Sequence, residues 1–263
     1  MTSAAETAFC ADKIEGPGGH IWIDGNGKIT ASRGSLANPK PNAFSLAQID
    51  TCPMRTPTCE SSCYVHGLQK HAPKIHEMYV HNTRMMRDIV RGNSDGFWAD
   101  AMAQYIRKNC PDFRWHVSGD IFSIGYAKFI AGVCSRTLHT TKHWIYTRSF
   151  ALMEPLLYVR NLELNLSADR DNLWLAKRYH EETGKRICYM ASDTRPTTYW
   201  LQMLVDCESL PDDSVIFPDY PLRGKGAFFE SLSKRCRKML CPVDTFGKSE
   251  KRRCGVCRKC MKP

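Results

Sequence analysis

Residues 143–170 read HWIYTRSFALMEPLLYVRNLELNLSADR, and this stretch decides the fold that we expect. Its two apolar runs, His143–Thr147 and Leu162–Leu166, are short and rich in the branched and aromatic residues typical of strands. Between them, Phe150–Val159 has the apolar spacing of a helix. A strand, a helix and a second strand in this order predict a parallel pair joined by a crossover.

The same alternation continues on both sides of that stretch. It predicts six strands in all, at Phe44–Ile49, Phe113–Val117, His143–Thr147, Leu162–Leu166, Arg186–Met190 and Val215–Phe217. Helical spacing predicts helices over Ser62–Arg91, Asp95–Asn109, Ile124–Leu138, Phe150–Val159, Asn172–Glu182 and Thr197–Glu208. We therefore predict an α/β fold with a parallel sheet, which the six units could close into a partial barrel or leave open.

Polar residues follow four of the predicted strands, at 118–120, 147–149, 167–170 and 192–195. Parallel α/β folds bind ligands at the carboxyl ends of their strands. Our candidates for holding a small-molecule cofactor or substrate there are Asp120, Arg148, Ser167 and Asp169. The alternative is that serine and aspartate in these loops only cap the helices that follow.

The composition is that of a globular chain, with 43% hydrophobic and 24% charged residues. The first residues lack the apolar core of a signal peptide, and no run approaches the roughly 18 apolar residues of a membrane span. We therefore expect a cytoplasmic protein with no membrane partner. Such a protein keeps its thiols reduced, so grouped cysteines indicate metal ligands rather than disulfides.

Seven of the 13 cysteines fall into two groups. The first cysteine group is Cys52, Cys59 and Cys63. Three thiolates are too few for a structural zinc site but would hold a 4Fe–4S cluster with one iron left open. A histidine such as His66 or His71 could instead complete a zinc site, so zinc stays an alternative.

The second cysteine group is Cys241, Cys254, Cys257 and Cys260, with Cys236 as an alternate ligand. Its repeated two-residue spacing with one remote cysteine before a proline is closer to ferredoxin ligation than to a zinc ribbon. We therefore favour a second 4Fe–4S cluster, with zinc as the alternative. The six scattered cysteines are expected to be buried apolar residues: Cys10, Cys110, Cys134, Cys188, Cys207 and Cys236.

Positive charge is concentrated at the end of the chain. Residues 223–263 contain 13 Lys and Arg against 3 acids, and their net charge of +10 equals that of the whole chain. Such a tail could bind nucleic acid, or its cations could offset the negative charge of a thiolate-bound centre. We divide the chain into an N-terminal hairpin and connection (1–43), an α/β domain (44–222) and the basic cysteine-rich tail (223–263). The hairpin is expected over His20–Ser32, with its turn at Asp24–Gly27.

The first cysteine group, placed after the first strand of a six-unit α/β chain, resembles the radical S-adenosylmethionine (SAM) superfamily. Within it, the chain resembles phage-borne proteins whose cysteine loop ends in Cys-Tyr, as at Cys63-Tyr64. Further landmarks are Gly119–Phe122, Ile145–Arg148 and Asn161–Ser167, and the resemblance spans residues 44–217 plus the second cysteine group. The cysteine spacing, Cys-x₆-Cys-x₃-Cys, differs from the usual Cys-x₃-Cys-x₂-Cys, and Ser118-Gly119-Asp120 stands where such enzymes usually carry Gly-Gly-Glu.

The resemblance implies a partial (β/α)₆ barrel of radical-SAM type and location in the host cytoplasm if the gene is phage-borne. It implies that the open iron of the first cluster binds SAM, that an electron donor protein reduces it, and that SAM is cleaved reductively. The second cluster would be auxiliary. Two alternatives remain: a non-catalytic iron–sulfur protein for electron transfer, sensing or cluster carriage, and a zinc-dependent nucleic-acid-binding protein.

Overall fold

The computed structural model describes residues 11–25, 40–63, 65–92, 94–191, 207–218, 232–241 and 259–261. Their centre is one sheet of eight strands, which lie side by side in chain order. The strands are β1 (Ala11–Gly16), β2 (Gly19–Asp24), β3 (Ala43–Phe44), β4 (Asp112–Trp115), β5 (Lys142–Thr147), β6 (Leu162–Ala168), β7 (Ile187–Ala191) and β8 (Val215–Pro218). With helices between most of its strands, the protein is a mixed α/β fold.

Strands β3 to β8 are parallel to one another and correspond to the six predicted strands. The exception in length is β3, which is shorter than the predicted Phe44–Ile49. The chain leaves the sheet after Phe44, and Ile49 has a left-handed backbone with φ of 69°, which a strand does not accept. The amide of Leu46 still donates to the carbonyl of Ser118 at 2.9 Å, so this segment stays beside the end of β4.

A hairpin of β1 and β2 extends the sheet in antiparallel fashion, and β2 then pairs antiparallel with β3. The hairpin turns at Gly18, whose positive φ of 79° suits glycine. The predicted turn at Asp24–Gly27 comes after β2, whereas the observed turn comes before it. The predicted strand at residues 20–24 therefore exists, but its hairpin partner is β1, which precedes it, and not the residues that follow it. The rest of the predicted hairpin, from residue 26 on, lies outside the described residues.

Seven α-helices are described: α1 (Pro57–Ser61), α2 (Leu68–His71), α3 (Pro73–Arg91), α4 (Asp95–Asn109), α5 (Ile124–Arg136), α6 (Leu173–Thr183) and α7 (Lys234–Met239). The prediction of one helix over Ser62–Arg91 is wrong at its start, because Pro73 cannot donate a helical hydrogen bond and begins α3 instead. The predicted helix over Phe150–Val159 is two 3₁₀ turns, Phe150–Leu152 and Glu154–Leu156, with Pro155 in the second. Most of the predicted Thr197–Glu208 helix lies outside the described residues.

The two sides of the parallel sheet differ in character. Because side chains alternate along a strand, Phe113, Ile145 and Leu164 point to the side where the helices pack and join the main apolar core. Their neighbours on the opposite side are more polar, and we call this the tail-facing side. It carries Arg114, Trp144, Tyr146, Glu163, Asn165 and Cys188.

Cys207 and Cys236 form a disulfide, with Cα atoms 5.8 Å apart. Both are buried in the core, as predicted. The expectation of reduced thiols is wrong for this pair, and so is Cys236 as an alternate metal ligand. Packing of α7 against residues 207–210 brings the two buried sulfurs together, which sequence spacing does not reveal. The remaining described members of that set, Cys110, Cys134 and Cys188, are buried and are not in disulfides.

None of the helices in the described ranges is both long enough and apolar enough to cross a bilayer.

Candidate metal centres

The first cysteine group lies on the loop and short helix that follow β3, at the carboxyl edge of the parallel strands. Thr56 caps α1 by accepting a hydrogen bond from the amide of Cys59 at 3.0 Å, and Pro57 begins the helix. This turn gives Cys59 a fixed position between Cys52 and Cys63. All three thiols are half-buried and none is in a disulfide.

The three thiols are near enough to influence one another. Burial, together with the charges of Asp120, Cys59 and Cys63, raises the pKa of Cys52 to about 12. Burial also raises the pKa of Cys59, while the guanidinium of Arg148 opposes this through its charge and a hydrogen bond. A raised pKa keeps such a thiol protonated at neutral pH. Coordination to a metal cation would remove the proton.

The cysteine loop is held by residues at the end of β6. The hydroxyl of Thr56 donates to Asp169 Oδ2 at 2.5 Å, and the same oxygen lies 2.9 Å from Nη1 of Arg148. Asp171 accepts a hydrogen bond from the amide of Thr58 at 2.8 Å. These contacts connect α1 to residues more than a hundred positions away along the chain.

Asp120 is held by backbone and side-chain donors of its own loop and the next one. It accepts hydrogen bonds from the hydroxyl of Thr147 at 2.6 Å, the amide of Arg148 at 2.9 Å and the amide of Ile121 at 2.7 Å. Burial raises its pKa, and these three donors oppose that effect. The carboxylate therefore fixes the ends of β4 and β5 relative to each other beside Cys52.

The structure places three of the four predicted binding residues, Asp120, Arg148 and Asp169, beside the first cysteine group. Asp120, Arg148 and Asp169 are each more than nine-tenths buried. Ser167 is in contact with Arg148 through its backbone carbonyl, which accepts from Nη1 at 3.3 Å. Much of the polar capacity of these residues is thus already used within the protein, which the sequence did not predict.

Gly119 lies where the cysteine loop leaves the sheet. Its φ is +84°, and a Cβ built on it would be 2.7 Å from both Leu46 Cβ and Thr51 Oγ1. Thr51 precedes Cys52 directly and is itself fixed by donating to the carbonyl of Ala47 at 2.6 Å. Only glycine therefore allows the loop after β4 to pack this closely against the start of the cysteine loop.

Two buried hydroxyls near these strand ends, those of Ser118 and Ser149, have no hydrogen-bond partner among the described residues. Among all the described residues, those of both cysteine groups included, no set of three or more His, Cys, Asp or Glu side chains is placed to hold a single metal ion. His66 and His71 are both exposed and do not complete such a group. An iron–sulfur cluster has a different requirement, because each cysteine binds a different iron and the sulfurs stand farther apart.

The chemistry of the first cysteine group fits such a cluster. It offers three thiols, which are the ligands that iron–sulfur clusters take. They lie on one loop, whose start packs closely against Gly119. The guanidinium of Arg148 beside Cys59 would offset part of the negative charge of a thiolate-bound cluster.

Two members of the second cysteine group, Cys241 and Cys260, lie on the tail-facing side of the sheet, whereas Cys254 and Cys257 lie outside the described residues. The amide of Cys241 donates to the carbonyl of Ile216 in β8 at 2.8 Å. Hydrogen bonds from Cys188 and from the hydroxyl of Tyr146, against the effect of burial, lower the pKa of Cys260 to about 7. Cys188, which sequence analysis assigned to the core, packs in the same small apolar group as Cys241 and Cys260.

Partial signals for the other unpredicted residues of this region are present in the sequence. Thr56 followed by Pro57 is typical of a helix start, with threonine as the N-cap and proline as the first helical residue. The dipeptide Ser118-Gly119 after a strand is typical of a turn. Cys188 had no such signal, since one cysteine inside a strand is indistinguishable from a core residue.

A family model described as gene product 88 matches residues 21–262. The match runs from β2 through both cysteine groups. No match is found among curated proteins or among solved structures.

Proposed function

The chain belongs to the gene product 88 family, and we propose that it is an iron–sulfur protein with two cysteine-ligated 4Fe–4S clusters. The first would be held by Cys52, Cys59 and Cys63. The second would be held by Cys241, Cys254, Cys257 and Cys260. In its catalytic form the proposal is a radical-SAM-type enzyme that cleaves SAM reductively, with a protein electron donor as partner.

The observation that carries this proposal is the position of the first cysteine group. Three half-buried thiols occupy one loop at the carboxyl edge of six parallel strands, beside Asp120, Arg148 and Asp169. Ligand sites of parallel α/β folds lie at that edge. The six strands also follow one another in chain order, which supports a partial (β/α)₆ barrel of radical-SAM type.

Three cysteines leave one iron of a 4Fe–4S cluster without a protein ligand. When bound, such a cluster supplies an open coordination site for SAM and the electron for its cleavage. The protein's part would be to orient the ligand and exclude water. Arg148 would hold charge beside Cys59, and the hydroxyls of Ser118 and Ser149 are unpaired donors among the described residues near the strand ends.

One observation favours a second candidate, a non-catalytic iron–sulfur protein for electron transfer, sensing or cluster carriage. Asp120 accepts three hydrogen bonds from the protein, and Arg148 and Asp169 are paired with each other. Side chains committed in this way stabilise a loop well but offer fewer groups to a bound SAM.

The experiment that tests the proposal is anaerobic purification with iron, sulfide and zinc counted per chain. Electron paramagnetic resonance (EPR) of the reduced protein, with and without SAM, completes it. About eight irons per chain and a spectrum that shifts on adding SAM are the expected result. Eight irons with no response to SAM would favour the non-catalytic candidate. Zinc in place of iron would overturn both and leave a nucleic-acid-binding protein, whose affinity should fall steeply with salt.

A further inference from the structure

Several cations surround Glu163 near the amino end of β6, on the tail-facing side of the sheet. Burial raises the pKa of Glu163. The charges of Arg186, Lys185 and Lys142 oppose that effect, so all three cations lie near its carboxylate. They come from the starts of β5 and β7, the two strands that flank β6. A second acid, Asp213, is also near, and positive charge still exceeds negative charge here.

Further cations adjoin this group. The register pairs the start of β5 with the start of β6, so Arg160, two residues before β6, lies beside Lys142. From the tail, the carbonyl of Lys259 accepts a hydrogen bond from Arg186 at 2.7 Å. The ammonium group of Lys259 donates in turn to the carbonyl of Lys238, an exposed residue of α7. We call this set the basic cluster: Lys142, Arg160, Lys185, Arg186, Lys238 and Lys259.

Arg186 is the buried member of the basic cluster. Its side chain is 10% exposed, and its Nη1 lies 3.8 Å from Oε1 of Glu163. Its Nε is buried and has no acceptor within the part of the chain that the structure describes. A buried cation with an incomplete set of partners is costly, and an anion bound beside it would offset that cost. The cluster therefore differs from a row of fully solvated lysines.

An aromatic side chain adjoins the basic cluster. Tyr158 lies two residues before Arg160, in the turn that leads into β6 and that the amide of Leu162 closes by donating to the carbonyl of Val159 at 3.2 Å. It is 89% exposed, more than any other large apolar side chain of the described residues. Cations bind the phosphates of a nucleic acid, and an exposed ring can stack on an unpaired base. A ring beside cations thus suits a single strand better than an acidic protein.

We propose that the basic cluster and Tyr158 form a docking surface for single-stranded nucleic acid. The cations would contact phosphates, and the ring of Tyr158 would stack on a base. This surface lies near the amino ends of β5, β6 and β7, whereas the first cysteine group follows the carboxyl end of β3. The inference requires neither metal centre, because most of the cluster belongs to the sheet.

The test measures fluorescence anisotropy of labelled oligothymidine and oligouridine on the full-length chain at a series of salt concentrations. The probes have about 20 nucleotides, longer than a typical single-strand site. The cluster variant is Lys142→Gln/Arg160→Gln/Lys185→Gln, which leaves the buried Arg186 in place. The matched control, Lys74→Gln/Arg84→Gln/Lys128→Gln, removes the same charge from exposed positions on α3 and α5. A third protein carries Tyr158→Leu.

We expect the affinity of the parent to fall steeply with salt. In a plot of log K against log salt concentration, the cluster variant should have a slope shallower by about 2, because each phosphate contact of a single strand contributes about 0.7. The control should match the parent. Tyr158→Leu should weaken binding by about fivefold or more at every salt concentration and leave the slope unchanged, because stacking releases no counterions.

No binding by the parent, or equal slopes for the cluster variant and the control, would overturn the proposal. Tighter binding of a duplex of the same length, with Tyr158→Leu equal to the parent, would overturn the assignment to single strands. Polyglutamate that displaces the probe as well as unlabelled oligonucleotide does would overturn it in favour of an acidic protein. Iron content should be the same in all variants, so failure here leaves the proposed metal centres untouched.

Discussion

Arg148 and Asp169 form a buried ion pair across the ends of β5 and β6, with Nη1 of the arginine 2.9 Å from Oδ2 of the aspartate. Both side chains are more than nine-tenths buried. The same carboxylate oxygen accepts the hydroxyl of Thr56, which caps the helix carrying Cys59. One pair of charges therefore fixes two strand ends and the first cysteine group relative to each other.

We predict that Arg148→Met lowers the free energy of unfolding by about 3–5 kcal/mol, because it leaves the buried carboxylate of Asp169 without its cation. Denaturant unfolding of the metal-free protein measures this. The control is Arg136→Met, which removes an exposed pair with Asp100 and should cost about 1 kcal/mol or less. Equal losses in the two variants would contradict a structural role for the buried pair. The double variant Arg148→Met/Asp169→Asn should recover part of the loss.

Gly119→Ala should destabilise the fold and impair the first centre. The added Cβ would meet Leu46 Cβ and Thr51 Oγ1 at 2.7 Å, so the start of the cysteine loop must move. The matched control is Gly184→Ala, since Gly184 also has a positive φ, +67°, but no atom within 4 Å of an added Cβ. It isolates the backbone cost, about 1 kcal/mol. We expect Gly119→Ala to cost about 2 kcal/mol more than that and to reduce iron at the first centre. A loss no greater than that of Gly184→Ala would show that the close approach is unimportant.

The parts of the fold that were predictable are those that local sequence determines. His143–Thr147 is mostly apolar and aromatic, and Leu162–Leu166 alternates leucine with polar residues, so both strands were recognisable. Three cysteines on one loop were equally visible, because their proximity is a matter of spacing. The pairing of Arg148 with Asp169 and the meeting of Cys188 with Cys260 depend on register and on docking of the tail, which periodicity does not encode.

Cys59→Ala and Cys257→Ala should each abolish one centre and leave the other. The first group is at the carboxyl edge of the sheet, whereas the described cysteines of the second lie on its tail-facing side. We therefore expect each variant to retain about four irons per chain, and the two EPR spectra to differ. Iron counts on anaerobically prepared protein check this, with Cys110→Ser as the control that retains both. Loss of all iron from either variant would mean that the two centres depend on each other.

Asp24 gives a prediction on pH that is independent of any metal. Its carboxyl group is fully buried at the end of β2, and Oδ2 accepts hydrogen bonds from Ser45 at 2.9 Å and from Tyr79 at 3.1 Å. Burial raises its pKa from 3.8 to about 6, although these two donors oppose the shift. The folded protein therefore binds this proton more tightly than the unfolded chain does. The contribution of Asp24 to stability is fully present below pH 3.8 and is lost as the pH rises through about 6.

Asp24→Asn removes that pH dependence, because asparagine is neutral throughout and its oxygen can still accept from Ser45 and Tyr79. Relative to the parent, the free energy of unfolding of the variant should rise between pH 4 and pH 7 by about 3 kcal/mol. Urea unfolding at a series of pH values measures the difference, in which the titration of the buried His116 and His143 cancels. Asp100→Asn, at a carboxylate whose side chain is 71% exposed, is the control and should show little change. A difference between variant and parent that stays constant with pH would mean that Asp24 is ionised as readily in the fold as in the unfolded chain.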